Sequence, residues 1–182
     1  MTYLIGKNIK LVKFTERYIT PKYIGWLNDP DINRFLCVGR IPVSKDQLGN
    51  RNDTNNIMFA MMSNIINDDG KMVEDDDFFE FIGTISINGI DWICRKAEIG
   101  YMIGSKDHWG YGIGGEAVSL VTDYSFNRLN LHKVEAEIVD GNVGSGKILE
   151  RNGFKEYGRV PDDYYLEGKY YDKIKFYKLQ EW

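Results

Sequence analysis

The chain reads as an α/β protein, with a mixed, mostly antiparallel twisted sheet flanked by helices. Three observations predict this. Strand-like runs recur from residue 8 to the C-terminus, and connections rich in Asn, Asp and Gly separate several of them. Helical periodicity is clear only after residue 112 and again after residue 142, each time between strands. With 182 residues, 43% hydrophobic and 14% aromatic, the chain is long and apolar enough for one core without disulfide or metal staples.

Residues 8–14 (NIKLVKF) alternate apolar and polar and predict the first strand. Thr20-Pro21 supplies an N-cap and a proline at the first helical position, so a short helix carrying Ile24, Trp26 and Leu27 is expected to stop near Asn28-Asp29-Pro30. A second short helix is expected over 32–36. Ser44 is placed to cap a third, with Asp46 and Gln47 in its first turn. IMFAMMS and FFEFIGTISI read as strands joined by an acidic connection. Its run Glu74–Asp77 lacks the alternate spacing and distal glutamate of a calcium loop, and reads as solvated. Residues 96–103 (KAEIGYMI) give another strand. Ala117, Leu120, Val121, Tyr124 and Leu129 then recur at helical spacing. Residues 131–139 form a strand, and Asn142–Asn152 a helix with Gly153 as its C′ residue. FKEYGRV and YYDKIKFYKL close the chain as two strands linked through Pro161-Asp162-Asp163.

Composition removes several function classes. A formal charge of −4 argues against sequence-independent nucleic-acid binding, which needs a dense basic face. Cys37 and Cys94 are too few for a disulfide framework and, with His108 and His132, show no metal-ligand spacing, so no metal is expected. The start MTYLIGKNIK lacks the apolar core of a signal peptide, and no run approaches membrane-spanning length. A cytoplasmic setting without a membrane partner is the expectation.

The segment His108–Glu116 (HWGYGIGGE) lies between a strand and a helix. Gly110, Gly112, Gly114 and Gly115 would let backbone N–H groups converge on an anion at a helix N-terminus. A purely structural glycine loop is the alternative. Gly110, Gly112 and Gly115 also satisfy the dinucleotide fingerprint, with Asp140 lying 25 residues beyond Gly115. Against that reading, the loop follows more than 100 residues, too late for a doubly wound sheet. The preceding strand alternates, unlike one buried on both faces, and the strands before it read as antiparallel. No Lys-Ser or Lys-Thr follows the glycines, which excludes a Walker loop.

AEIGYMIGSKDHWGYGIGGEA, followed by a helix, a strand and NVGSGKILERNGF, resembles the GNAT superfamily of acetyl-coenzyme A-dependent N-acetyltransferases. The branch it is most similar to contains the ribosomal-protein N-terminal acetyltransferases. The resemblance implies a single acetyltransferase domain over 1–182, acetyl-CoA as co-substrate, and a homodimer. It implies that Trp109, Gly110, Tyr111, Gly112, Ile113 and Gly114, with Gly115 behind them, cradle the pyrophosphate through backbone amides. It further implies that Met102 and Ile103 pair with the pantetheine arm and leave an amide for the thioester oxygen. Where Trp109 stands, the family commonly has Gln or Arg, so a side-chain contribution there is open.

Acetyl transfer to an amine needs a neutral amine, an oxyanion donor and stabilisation of the leaving thiolate. Glu98 is the candidate base, because it shares a strand face with Met102, four residues on. A hydrogen-bonded strand glutamate is the plain alternative. Asn142 and Ser145 match the family's Asn-x-x-Ser motif, which implies that both approach the pantetheine and sulfur and that Ser145 protonates or hydrogen-bonds the departing thiolate. Capping alone also explains Asn142. Many relatives place a tyrosine acid where this chain has Leu149. Glu116 at the helix start and His132 at a strand start read as structural, as do Tyr164, Tyr165, Tyr170 and Tyr171 at strand spacing. The expected acceptor is a small polar amine such as a nucleotide-linked amino sugar, then a protein N-terminal amine, then a polyamine drawn by the acidic segment Asp68–Asp77. An acyl-CoA sensor without catalysis is the alternative from another class.

Overall fold

The computed structural model describes residues 2–49, 52–64 and 79–181, and the acidic segment Asp68–Asp77 lies outside them. The strands are β1 (Thr2–Ile5), β2 (Ile9–Lys13), β3 (Ile57–Asn64), β4 (Phe79–Asp91), β5 (Lys96–Ile103), β6 (Lys133–Val139), β7 (Lys155–Leu166) and β8 (Lys169–Leu179). The helices are α1 (Pro21–Asn28), α2 (Pro30–Asn33), α3 (Ile113–Asn127) and α4 (Val143–Arg151). All eight strands join in one sheet, ordered β1-β2-β3-β4-β5-β6-β8-β7.

Every neighbouring pair is antiparallel except β5 and β6. These two run parallel because α3 carries the chain back across the sheet between them. Their pairing spans only Lys96↔Lys133 to Glu98↔Glu135. Beyond that point β5 continues to Ile103 and β6 to Val139, so the sheet parts into a wedge.

Two cores sit on opposite faces. On one, Ile113, Ala117, Val118 and Val121 of α3 and Leu149 of α4 pack on Leu11, Phe59, Ile85, Ile99, Ile138 and Phe176. On the other, Tyr23, Trp26 and Leu27 of α1 cover Val12, Phe14, Met58, Ala60 and Met102. Beyond Met102 this second face turns polar, with Glu135, Glu137, Lys173 and Lys175 on the alternate positions of β6 and β8. Glu116, which its helix-dipole position alone would explain, accepts from the Asn8 amide at 2.9 Å and from Asn8 Nδ2 at 3.0 Å, tying α3 to the start of β2.

Local chemistry explains where the elements depart from the sequence expectation. Thr20 caps α1 as its sequence suggests, accepting from the Tyr23 amide at 3.3 Å. The second helix starts earlier, at Pro30, because Asp29 accepts from the Asp31 amide at 2.9 Å and makes itself the cap. The Ser44 segment is a single 3-10 turn, closed by the Ser44 amide on Gln47 Oε1 at 2.8 Å. Pro161-Asp162-Asp163 is a bulge inside β7 and not the link between the last strands. Asp162 adopts φ +53° there and its amide reaches Asp172 Oδ1 at 3.2 Å; an edge strand tolerates the proline. The turn itself is Glu167-Gly168, both left-handed. β1 was missed: it has four residues and pairs only along β2.

Candidate functional site

The wedge between β5 and β6 holds a cavity of about 170 Å³. Glu98 and Tyr101 of β5, Glu137 of β6, Asn142 capping α4, Ser145 within it and Lys173 of β8 line it, and Phe35–Cys37 close one side. Side-chain alternation puts Glu98, Gly100 and Met102 on the α1 face, and Ile99, Tyr101 and Ile103 on the face of α3 and α4. Glu98 and Ser145 therefore come from opposite faces and meet only because the sheet is open here.

Three carboxylates share the α1 face, and two are committed. Glu135 accepts from Tyr157 at 2.8 Å and pairs with Lys133 at 2.7 Å. Burial would raise its pKa, but those two donors hold it below the usual range. Glu137 pairs with Lys173 at 2.8 Å and Lys175 at 3.7 Å. Burial would lower the pKa of Lys173, yet Glu137 and Asp163 together drive it well above the usual lysine range. The Glu98 carboxylate takes no hydrogen bond or ion pair from the other described residues. Although the residue is exposed, the protein crowding its carboxyl in the cleft raises the pKa, and repulsion from Glu137 and Glu135 adds to it against a downward pull from Lys175 and Lys173. A carboxylate without a cation of its own and with a raised pKa suits proton abstraction.

On the other face, Asn142 caps α4 by accepting the Ser145 amide at 3.3 Å. The Ser145 hydroxyl lies 2.7 Å from the Tyr101 phenol, which is also 3.4 Å from the Ser145 carbonyl. Burial pushes the Tyr101 pKa up to about 12, against a downward pull from the Ser145 bond. Tyr101 escaped the sequence reading because its partner is 44 residues away. The usable signal was parity: it sits on β5 opposite in face to Glu98. Leu149, one turn after Ser145, is fully buried and contributes no proton.

The glycine loop stands at the far end of β5, beyond the lining of the 170 Å³ cavity, as do Met102 and Ile103. Gly110 and Gly112 have φ of +86° and +80°, and a Cβ on either would meet open space. Their role is conformational. Gly112 is the N-cap of α3 and offers no side-chain acceptor, so the first-turn amides of Ile113, Gly114 and Gly115 lack a cap. Ile113 itself is a core side chain, leaving only its backbone available. Gly114 is constrained by packing: a Cβ there would lie 2.9 Å from Ile148 Cδ1 and 3.3 Å from Ile103 Cδ1. Gly115 has a freer Cβ position, 3.7 Å from Asn152 Nδ2. Tyr111 and Trp109 are exposed.

Along β5, the Gly104 amide bonds to the Ile82 carbonyl, and the register pairs Thr84 with Met102. Alternation then turns the backbone groups of Met102 toward β4, and those of Tyr101 and Ile103 toward the open edge. Trp109 has a definite side-chain contact at this edge, donating its indole N–H to the Ile103 carbonyl at 2.9 Å.

The remaining candidates have structural partners. His108 is buried with Nδ1 2.9 Å from Ser105 Oγ, bracing the turn beneath the loop. The carbonyl of His132 accepts the Gln180 amide at 2.9 Å. Tyr165 and Tyr170 pair their rings on the surface, whereas Tyr171 is half-buried in β8. Tyr164 does more than pack. Its buried hydroxyl lies 2.9 Å from the Arg34 carbonyl and 3.0 Å from that of Leu36, holding the loop that walls the cleft. A larger cavity of about 650 Å³ lies at the C-terminal end of α3, a helix length from the loop, and gathers none of these groups. Among the described residues no His/Cys/Asp/Glu cluster suits a metal ion, and no helix is long and apolar enough to cross a membrane.

The architecture is similar to the crystal structure of spermidine N-acetyltransferase from Vibrio cholerae in complex with CoA and spermine. The TM-score is 0.77 at 23% identity, over 96% of this chain and 97% of that one. In sequence the chain is 39% identical over 101 residues to the uncharacterized N-acetyltransferase p20 of Bacillus licheniformis, 56% of each chain. It is 31% identical over 114 residues to a spermidine N(1)-acetyltransferase of Vibrio cholerae, 63% of this chain and 65% of that one. The chain spans little more than half the length of p20. The sequence model of the acetyltransferase (GNAT) domain matches residues 8–155, and the chain belongs to that family.

Proposed function

We propose that the chain transfers an acetyl group from acetyl-CoA to a primary amine of a small polar acceptor, by direct attack on the thioester. The observation that carries this reading is the cleft through the sheet, with the uncommitted Glu98 on one face and the hydrogen-bonded Ser145 on the other. The residues fit coenzyme A on their own geometry. The first-turn amides of α3 face an approach that no side chain at Gly110 or Gly112 obstructs, which suits a pyrophosphate. The free edge of β5 suits the amides of a pantetheine arm. When bound, acetyl-CoA supplies the activated acetyl group.

Each residue has a separate task. Glu98 takes the proton that the amine must lose, directly or through water. A backbone amide on the β5 edge stabilises the carbonyl oxygen as charge develops on it. Ser145 donates a hydrogen bond to the departing sulfur. The Ile103 carbonyl, which already accepts the Trp109 indole N–H, has a second lone pair for a ligand donor.

A polyamine acceptor is the second reading, favoured by the relatives named spermidine acetyltransferases and by the uncommitted carboxylate of Glu98 in the cleft. Acetyl-CoA turnover against spermidine, a nucleotide-linked amino sugar and a peptide with a free N-terminus separates the acceptors. Glu98→Gln is expected to lower kcat/KM by roughly 10²–10⁴-fold. Tight CoA binding with no amine acetylated would defeat the enzyme reading in favour of a sensor.

A further inference from the structure

We propose that Tyr101 is a positioning residue for Ser145: its phenol donates to the Ser145 hydroxyl and leaves the serine proton directed at sulfur in the cleft. The inference rests on the acetyl-transfer reading above and adds a residue to it.

The Tyr101 and Ser145 hydroxyls carry one proton each. Tyr101 has two acceptors within reach, Ser145 Oγ at 2.7 Å and the Ser145 carbonyl at 3.4 Å. A phenol that donated to the carbonyl would have to accept the serine proton, leaving nothing for the cleft. The shorter contact has ordinary O–H···O length and the longer is marginal, so donation to Oγ is preferred. The Ser145 backbone amide is held by the Asn142 cap. The residue is thus tied at its backbone by Asn142 and at its hydroxyl by Tyr101, with the serine proton as the free element. With Leu149 buried and aliphatic, this pair is what α4 and β5 offer the leaving group from that face.

The step balances without proton transfer from Ser145. The amine nitrogen forms the new bond to the acetyl carbon and passes its proton to Glu98. The carbon–sulfur bond breaks with its electron pair on sulfur, and the thiolate accepts the Ser145 hydrogen bond until solvent protonates it. Donation from Tyr101 polarises the serine hydroxyl and strengthens that bond.

The test titrates the thiol of CoA bound to the full chain, read by the ultraviolet absorbance of its thiolate. In the wild type the midpoint is expected below that of a free thiol, about 8.5. Tyr101→Phe keeps the ring and is expected to raise the midpoint by about half a pH unit or more. Ser145→Ala should raise it at least as far, and the double variant no further than Ser145→Ala alone. CoA affinity at pH values where the thiol is protonated should change less than about twofold in Tyr101→Phe, against the tenfold that 1.4 kcal/mol represents. Folded protein is kept in excess over CoA, so the absorbance reports the bound thiol and a lower folded fraction does not move the midpoint. A midpoint in Tyr101→Phe equal to that of the wild type overturns the inference, as does an additive double variant. Failure of the wild type to bind CoA overturns the acetyl-transfer reading and this inference with it.

Discussion

Glu98 is crowded by the cleft and faced by Glu137, so its proton is harder to lose in the folded chain than in the unfolded one. Between the ordinary value of 4.5 and the raised folded value, the folded state binds a proton that the unfolded state has released. Stability therefore falls as pH rises through that window and stays lower above it. Glu98→Gln removes this loss. Its denaturation midpoint at pH 8 is expected to equal or exceed the wild type's, the two converging below 4.5, where both sites are neutral. In the proposed reaction the dependence runs the other way, because only the carboxylate takes a proton. The kcat/KM profile should rise with pH through the raised value, and that limb should vanish in Glu98→Gln. The candidate base was legible in the sequence, since two strand periods put it on the same face as Met102. The Tyr101–Ser145 bond and the hydroxyl of Tyr164 were not, because their partners lie 44 and at least 128 residues away. Local pattern carries faces, and only tertiary packing carries such distances.

At the scale of elements, the glycine motif divides into positions with different constraints. Gly112 needs its left-handed φ, whereas Gly114 needs space beneath Ile148. Gly112→Val is expected to weaken CoA binding, measured by calorimetry, by distorting the amides at the start of α3. Gly114→Val is expected to cost about 1–3 kcal/mol in denaturant unfolding through overpacking between α3 and α4. Adding Ile148→Ala should recover part of that loss, and an unchanged Gly114→Val midpoint would contradict the packing role. Tyr164→Phe releases the loop after α2 and is expected to cost about 1 kcal/mol. On the proposed reading it should raise KM for the amine while leaving CoA affinity in place, because Phe35–Cys37 line the cavity with Glu98 and not the glycine loop. Elements with local signals were readable: α1 with its threonine cap, β5 by alternation, α4 between Asn142 and Gly153. Pro161-Asp162-Asp163 misled because the same residues serve a turn or a bulge. The choice was made by Asp172 on the neighbouring strand.

Across the whole molecule, the sheet consists of two antiparallel blocks, β1–β5 and β6–β8–β7, joined through one parallel seam of three residue pairs. The mixed sheet was legible from the order of periodicities. The shortness of the seam was not, since nothing in β5 or β6 alone announces where pairing stops. Backbone amides of Tyr101 and Ile103 face the open edge, and are expected to exchange hydrogen faster than those of the paired Ile85 and Ile87. CoA should slow their exchange; equal protection with and without CoA would contradict the assignment of this edge.

A wedge closed at one end behaves as a lever. Glu98 sits at the fulcrum, whereas Ile103 lies five residues further out, about 16 Å at ~3.3 Å per residue. Any small rocking of one block against the other is magnified along that arm. If the blocks rock, the outer end, where the glycine loop stands, moves further than the paired strands beside Glu98. Tolerance and accuracy are thus assigned to opposite ends of the same opening.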